Sequence, residues 1–408
     1  MTRQAPPADR AADAVIVGGG AAGLSLAHRL AADGTTRVTV VEAPDGPLRP
    51  TERTWCHWDD GPGEFEDAVV ASWPRLRVRG PHGTVVETGT APLRYRMLRS
   101  ASFERLVHAY LAERPHARLV RATAHTVRDA PGGGAQVCCT TPDGRPLTLS
   151  GRYAFDSRPP RRLPPARTTL LQHFRGWFVR TPAPRFDPEV ADLMDFRVPQ
   201  PRHGLAFGYV LPLAPDRALV EYTQFSRAPL PTAAYEDALG HYTSRVLRLG
   251  PLTVDSAEQG IIPMTDARFP RRTGAAVFRI GAAGGATRPA TGYTFAAVQR
   301  QSRAIAAALR TGRVLVPPPY GRRALAMDAV LLRALDTGRI DGPRFFTDLF
   351  RHVPAERLLR FLDGRSTPWE EFGIGLRTPV GPMLRTAAEL AFLPRRAAPQ
   401  PPQTEEQN

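Results

Sequence analysis

The sequence predicts an α/β (α+β) fold in which a dinucleotide-binding βαβ unit is interrupted by an inserted β-sheet layer and followed by a helical region. Three observations predict it. Asp13 to Glu42 reads as strand, glycines, helix, strand and acid. Leu171 to Thr223 has the texture of successive strands, with mixed or alternating apolar residues between Pro/Asp turns. A strand at Ala275–Ile280 then runs into Gly281, Gly284 and Gly285, which returns the chain to the nucleotide-binding pattern.

In order, Ala14-Val15-Ile16-Val17 is an apolar run of the kind buried on both faces in a parallel sheet. Gly18, Gly20 and Gly23 follow at G-x-G-x-x-G spacing. They serve the tight turn, the approach of backbone to a pyrophosphate, and the close packing of helix on strand. The Ala/Leu-rich stretch to Leu30 is helical, and its first turn offers free N–H groups to an anion. Val38 to Val41 is a second buried strand. Glu42, nineteen residues after Gly23, sits where a carboxylate takes the adenosine ribose hydroxyls. No second complete fingerprint follows a later strand, which favours one buried FAD over a separate nicotinamide domain.

Arg53–Asp60, RTWCHWDD, places Trp55 and Trp58 beside a histidine; it is either a small aromatic core or the lining for an extended apolar ligand. Arg99 and Ser100 open a helix to Tyr110. There Arg99 is a candidate to balance a reduced flavin or pyrophosphate charge, against the default of a surface arginine. PGGG and PDG mark hairpins before Asp156, which is either a flavin-domain contact or a plain turn residue. Glu258–Met264, EQGIIPM, reads as a turn, and TRPATGYTF opens a helix to Leu309. From Ala324 the pattern is helical. Val380–Arg396 is an apolar helix with Arg385, Arg395 and Arg396, either packed on the body or lying in a lipid interface. The chain divides into a lead-in (1–12), the first FAD-binding part (13–165), a β-rich substrate layer (166–265), the last FAD-binding part (266–312), a C-terminal helical region (313–396) and a tail (397–408). The composition of the two ends predicts disorder.

The 408 residues carry a formal charge of +15, and every basic side chain other than histidine is arginine. That removes lysine Schiff-base or lysine-base chemistry. The arginines are scattered rather than gathered, which argues against nucleic acid. Cys56, Cys138 and Cys139 form neither a disulfide framework nor a metal-ligand spacing. No secretory leader is apparent, and no run approaches the ~20 apolar residues that span a bilayer. A cytoplasmic protein, soluble or held peripherally at a membrane, is expected.

The pieces DAVIVGGGAAGL, RTWCHWDD, LQHFRGW, MDFR, YVLPL, ALVEYT, EQGIIPM, ATRPATGYTF and FLDGRSTPWEE, in this order, resemble the bacterial flavoprotein-type lycopene β-cyclases. The last three quoted before the C-terminal one are the more specific; the glycine fingerprint is widely shared. The resemblance implies an FAD fold of the aromatic-hydroxylase type. It also implies redox-neutral closure of the ψ-ends of lycopene, or a related acyclic carotenoid, into β-ionone rings. Reduced FAD with NAD(P)H as reductant, a peripheral site on an anionic membrane and other carotenoid-pathway enzymes as partners belong to the same expectation. One departure is Ala282 after Gly281, where flavin hydroxylases usually carry an Asp for the ribityl chain.

Such a reaction needs a proton on an unreactive C=C, from a carboxylic acid of raised pKa or a reduced flavin, and π faces or negative charge for the cation. Glu221 in ALVEYT matches the family's acidic position, although period-two alternation also permits it to face solvent. Glu258 is a second candidate, against a role in holding its turn. Trp55, Trp58, Trp177, Tyr293 and Phe295 are the aromatic pool, with Tyr293 and Phe295 placed near the flavin after Thr291 and Gly292. The rival readings are a flavin monooxygenase or other oxidoreductase on this fold, or a non-catalytic carotenoid- or flavin-binding protein.

Overall fold

Runs of β-branched residues bounded by glycine or proline set the strands, and Ala/Leu/Arg-rich runs set the helices. The computed structural model describes residues 12–397. It begins β1 (Ala12–Val17), α1 (Ala21–Ala31), β2 (Val38–Glu42), β3 (Thr54–Asp59), β4 (Val69–Trp73), β5 (Arg75–Arg79), β6 (Val85–Gly89), β7 (Arg94–Arg99) and α2 (Ser100–Ala112). It continues with β8 (Ala117–Arg121), β9 (Thr123–Asp129), β10 (Ala135–Thr140), β11 (Pro146–Asp156), β12 (Thr169–Arg180), β13 (Val190–Asp195), β14 (Leu205–Ala214), β15 (Arg217–Ser226) and α3 (Thr232–His241). It closes with β16 (Thr253–Thr265), β17 (Val277–Arg279), α4 (Phe295–Arg310), α5 (Arg322–Asp336), α6 (Gly342–His352), α7 (Ala355–Leu362), α8 (Pro368–Gly375) and α9 (Val380–Phe392). Ala12 already belongs to β1. The rest of the expected lead-in, and the expected tail apart from Ala397, lie outside the described residues.

The first sheet runs β8-β2-β1-β11-β10-β9, with β17 also on β11. β8, β2, β1, β11 and β17 pair in parallel. β2 is buried along its whole length, as a strand covered on both faces must be. The late strand β17 closes the nucleotide-binding unit against β11, so chain segments more than a hundred residues apart build one sheet.

The second sheet runs β16-β12-β15-β14-β13-β5-β6 and is antiparallel except where β13 meets β5. Residues 75–89, expected within the first cofactor segment, therefore extend this sheet instead. One face carries α3 through Val220, Tyr222, Tyr235 and Leu239. The other packs on α5, α6 and α7 through Phe207, Leu332, Leu335, Phe346 and Leu359. A small sheet, β3-β7-β4, completes the sheet structure.

EQGIIPM is not a turn. It lies inside β16, whose register with β12 continues through Glu258, Gly260 and Pro263. β16 ends the sheet, and an edge strand tolerates a proline. Gly260 is required there because a Cβ would come within 2.5 Å of the Phe174 ring.

Candidate functional site

The turn after β1 is shaped for a pyrophosphate. Gly18 has φ +104°, a conformation that favours glycine, and a Cβ on Gly23 would lie 1.9 Å from the Gly18 carbonyl oxygen. Gly20 has nothing within 4 Å of its Cβ position, so the backbone there stands open to a ligand. Glu42 at the end of β2 is buried over Gly19, whose Cβ would collide with the carboxylate. Oε1 of Glu42 lies 2.7 Å from His108 Nε2, and Arg121 approaches Oε2 at 2.9 Å. Oε2 nevertheless makes no hydrogen bond among the described residues.

The opposite wall comes from the late strand. Gly281 (φ +61°) approaches the Ala22 side chain of α1, Gly284 turns beneath the Arg279 carbonyl, and Gly285 has φ +82°. Ala282, next after Gly281, lines the cavity. Gly292 has φ +73°, and its position leaves room for Gln172 Oε1. Both Gln172 Oε1 and Thr291 Oγ1 are buried without hydrogen-bond partners among the described residues. An open phosphate turn, a buried carboxylate oxygen and two unpartnered polar atoms on one wall fit an FAD. Asp156 takes no part: its carboxylate is held by Arg158, at 2.8 and 2.9 Å, as a turn residue.

Between the sheets lies a cavity of about 1900 Å³. Small-molecule sites usually occupy roughly 300–1,000 Å³. The cavity therefore has room for a cofactor and an elongated substrate together. Four side-chain positions form a row across its floor. Glu258 on β16 is opposite Gly176 on β12, Gly176 is opposite Glu221 on β15, and Glu221 is opposite Tyr209 on β14. The sequence left both faces of β15 open to Glu221; the register turns it inward, with 7% exposure.

The two carboxyls have different surroundings. Glu221 accepts a hydrogen bond from Thr223 Oγ1 at 2.5 Å and makes no ion pair among the described residues. Burial, together with the nearby Glu258, lifts its carboxyl to about 8. Glu258 accepts from Thr54 Oγ1 at 2.8 Å and has the Arg99 guanidinium at 3.8 Å. Burial raises its pKa, while Thr54 and Arg99 oppose the rise. Arg99 stands beside the carboxyl site: it also pairs with Glu52 and lies 4.1 Å over the Phe178 ring.

Beside Glu221 the hydroxyls of Tyr293, Tyr95 and Tyr209 form a chain, at 2.8 and 2.6 Å, and Tyr209 O–H donates on to Cys56 Sγ. Burial drives all three phenol pKa values upward. Tyr95 and Tyr209 escaped the sequence reading because nothing local marks them; only strand pairing brings them to the acid.

The aromatic pool divides. Trp55, Tyr293 and Phe295 line the cavity, with Trp55 stacked on Phe295 at 5.9 Å. Trp58 does not line it; its ring meets Tyr293 edge-on at 4.6 Å and backs that residue from behind. Trp177 is overturned as a lining residue. One position beyond Gly176, it points to the other face of the sheet and packs with the α3 cluster.

Three solved structures share the fold. A geranylgeranyl bacteriochlorophyll reductase-like protein from Thermoplasma acidophilum is 12% identical, with a TM-score of 0.56 over 93% of this chain and 99% of that one. A flavoprotein/dehydrogenase from Cytophaga hutchinsonii is 12% identical, with a TM-score of 0.61 over 94% and 99%. An aklavinone-11 hydroxylase, solved with FAD and aklavinone, is 19% identical, with a TM-score of 0.55 over 74% and 62%. No curated protein matches the chain by sequence. The family model described as lycopene cyclase protein matches residues 13–388.

Proposed function

The chain belongs to the lycopene cyclase family, and from that premise we propose that it closes the ψ-ends of lycopene, or of a related acyclic carotenoid, into β-ionone rings. The reaction is redox-neutral, with FAD bound in its reduced form and NAD(P)H as the reductant. The observation that carries the reading is Glu221, a buried carboxyl with no cationic partner among the described residues, facing a cavity large enough for a polyene end. A carboxyl at about 8 keeps its proton at neutral pH and can deliver it to a C=C. When bound, reduced FAD supplies electron-rich, anionic character to the site. Trp55, Phe295 and Tyr293 present π faces to the cation.

A polyene substrate resides in lipid, and the α8–α9 surface supports peripheral docking on an anionic bilayer. Trp369 is 84% and Phe392 88% exposed, with Phe372, Leu376 and Leu384 also exposed beside Arg377 and Arg385. α9 packs inward only through a narrow edge that includes Thr386 and Leu390. Arg395 is not available to lipid in the same way, because Asp266 holds it. No described helix is long and apolar enough to cross a membrane.

Pigment chromatography from a lycopene-accumulating bacterium expressing wild type or Glu221→Gln tests the function. Cyclic carotenes with wild type and lycopene with the variant are expected. Unchanged lycopene with folded, flavin-loaded wild type would overturn the cyclase reading in favour of a redox enzyme on this fold.

A further inference from the structure

We infer that Glu258 is the proton acceptor of the ring closure, set in one register row with the donor Glu221, with Gly176 between them. The inference rests on the cyclase reading above and divides labour between its two carboxyls. Glu258, Gly176 and Glu221 occupy one register row on three adjacent strands, so both carboxyl side chains rise from the same face. Two strand spacings put their Cα atoms roughly 10 Å apart. Both glutamates line the cavity, on either side of the strand that carries Gly176. Gly176 adds no side chain between them; the Leu219 side chain packs there, its Cδ1 2.8 Å from where a Cβ would stand, and Glu221 Cβ lies 3.5 Å from that point.

The surroundings decide which carboxyl gives and which takes. Arg99 stands 3.8 Å from Glu258, and Thr54 donates to it at 2.8 Å; both favour a carboxylate. Glu221 is buried and makes no ion pair among the described residues, which favours the neutral acid. Two carboxyls whose surroundings separate their protonation states form an acid and base pair.

The step balances without an oxidant or reductant. The Glu221 carboxylic acid transfers its proton to the terminal C=C, whose π pair forms the new C–H bond. The neighbouring C=C attacks the resulting tertiary cation, forming the ring C–C bond and leaving a ring cation. The Glu258 carboxylate removes a ring proton, and that C–H pair becomes the ring double bond. The product has the formula of the substrate. Transfer of one proton from Glu258 back to Glu221, directly or through solvent, restores the enzyme.

Turnover of lycopene by FAD-loaded, reduced enzyme in D2O separates the roles. Glu258→Gln is expected to lower β-ring formation by at least roughly a hundred-fold. Protonation by Glu221 remains and can reverse, so the acyclic carotenoid recovered from Glu258→Gln gains deuterium. Glu221→Gln is expected to return it unlabelled. Gly176→Ala, with flavin still bound, is expected to lower ring formation, because its methyl would displace Leu219 Cδ1 and crowd Glu221. Bound-flavin absorbance reports the fold of each variant, and Glu258→Asp keeps the carboxylate as a control for side-chain loss. Wild-type ring formation by Glu258→Gln, unlabelled substrate from both flavin-loaded carboxyl variants, or labelled substrate from Glu221→Gln would each overturn the assignment. Wild-type enzyme that closes no ring would instead remove the cyclase reading itself, a result distinct from all of these.

Discussion

Arg288 and Asp328 form a buried ion pair, Nε to Oδ2 at 2.7 Å, that ties the loop carrying Tyr293 to helix α5. Arg288 also caps the loop through its backbone: its N–H donates to the Tyr293 carbonyl, and its own carbonyl accepts from Gly292 N–H. Gly364 of the DGRS segment makes room for it, since a Cβ there would lie 2.2 Å from Arg288 Nη1. The C-terminal helices therefore hold the cavity wall in place. Asp328→Ala, which leaves the guanidinium buried and unpaired, is expected to cost about 3–5 kcal/mol in denaturant unfolding and to reduce retained flavin. Replacing both partners, Arg288→Met with Asp328→Leu, should recover part of that stability. A single variant as stable as wild type would show that the pair does not hold the loop.

Glu221 makes activity and stability oppose each other. Its folded pKa, about 8, lies above the ordinary carboxyl value of 4.5. Between those values the folded protein binds more protons than the unfolded chain, so this group lowers stability as pH rises through the window. Glu221→Gln removes the penalty. It should be inactive, yet more stable than wild type at pH 9 by an amount on the order of a few kcal/mol, with little difference near pH 4. Unfolding midpoints at the two pH values decide it; an equal offset at both would show that Glu221 ionises normally.

Gly20 separates cofactor binding from folding. Because its Cβ position is open, Gly20→Val should leave the unfolding midpoint of flavin-free protein within ~0.5 kcal/mol of wild type. The branched side chain would occupy the space over the phosphate turn, so purified protein should be colourless. Full retention of flavin by this variant would place the pyrophosphate elsewhere.

The exposed apolar surface of α8 and α9 gives a membrane test independent of chemistry. Trp369→Ser with Phe392→Ser should abolish sedimentation with anionic vesicles, leave stability within ~0.5 kcal/mol and keep activity on detergent-dispersed substrate. Undiminished vesicle binding would assign the contact to another surface.

Much of this molecule was legible in its chain because the signals were local. The βαβ unit around Gly18, Gly20 and Gly23, the strand texture from Leu171 and the return at Gly281 each depend on neighbours within a few residues. The misreadings arose where the deciding contact is distant. Gly260 and Pro263 spelled a turn, but an edge strand accommodates both, with Gly260 beneath the Phe174 ring.

By itself the sequence determined the nucleotide-binding frame, the presence of an inserted sheet and the identity of the two candidate carboxyls. Tertiary structure decided which way those side chains face and whom they meet. A strand's period of two offers two faces without choosing one, so Glu221 and Trp177 looked equally fit to line the cavity. Only the hydrogen-bond register among β16, β12, β15 and β14 turns Glu221 inward and Trp177 away. The same register sets Glu258, Gly176, Glu221 and Tyr209 in one row. That register joins segments tens of residues apart, and no local preference in the chain encodes it.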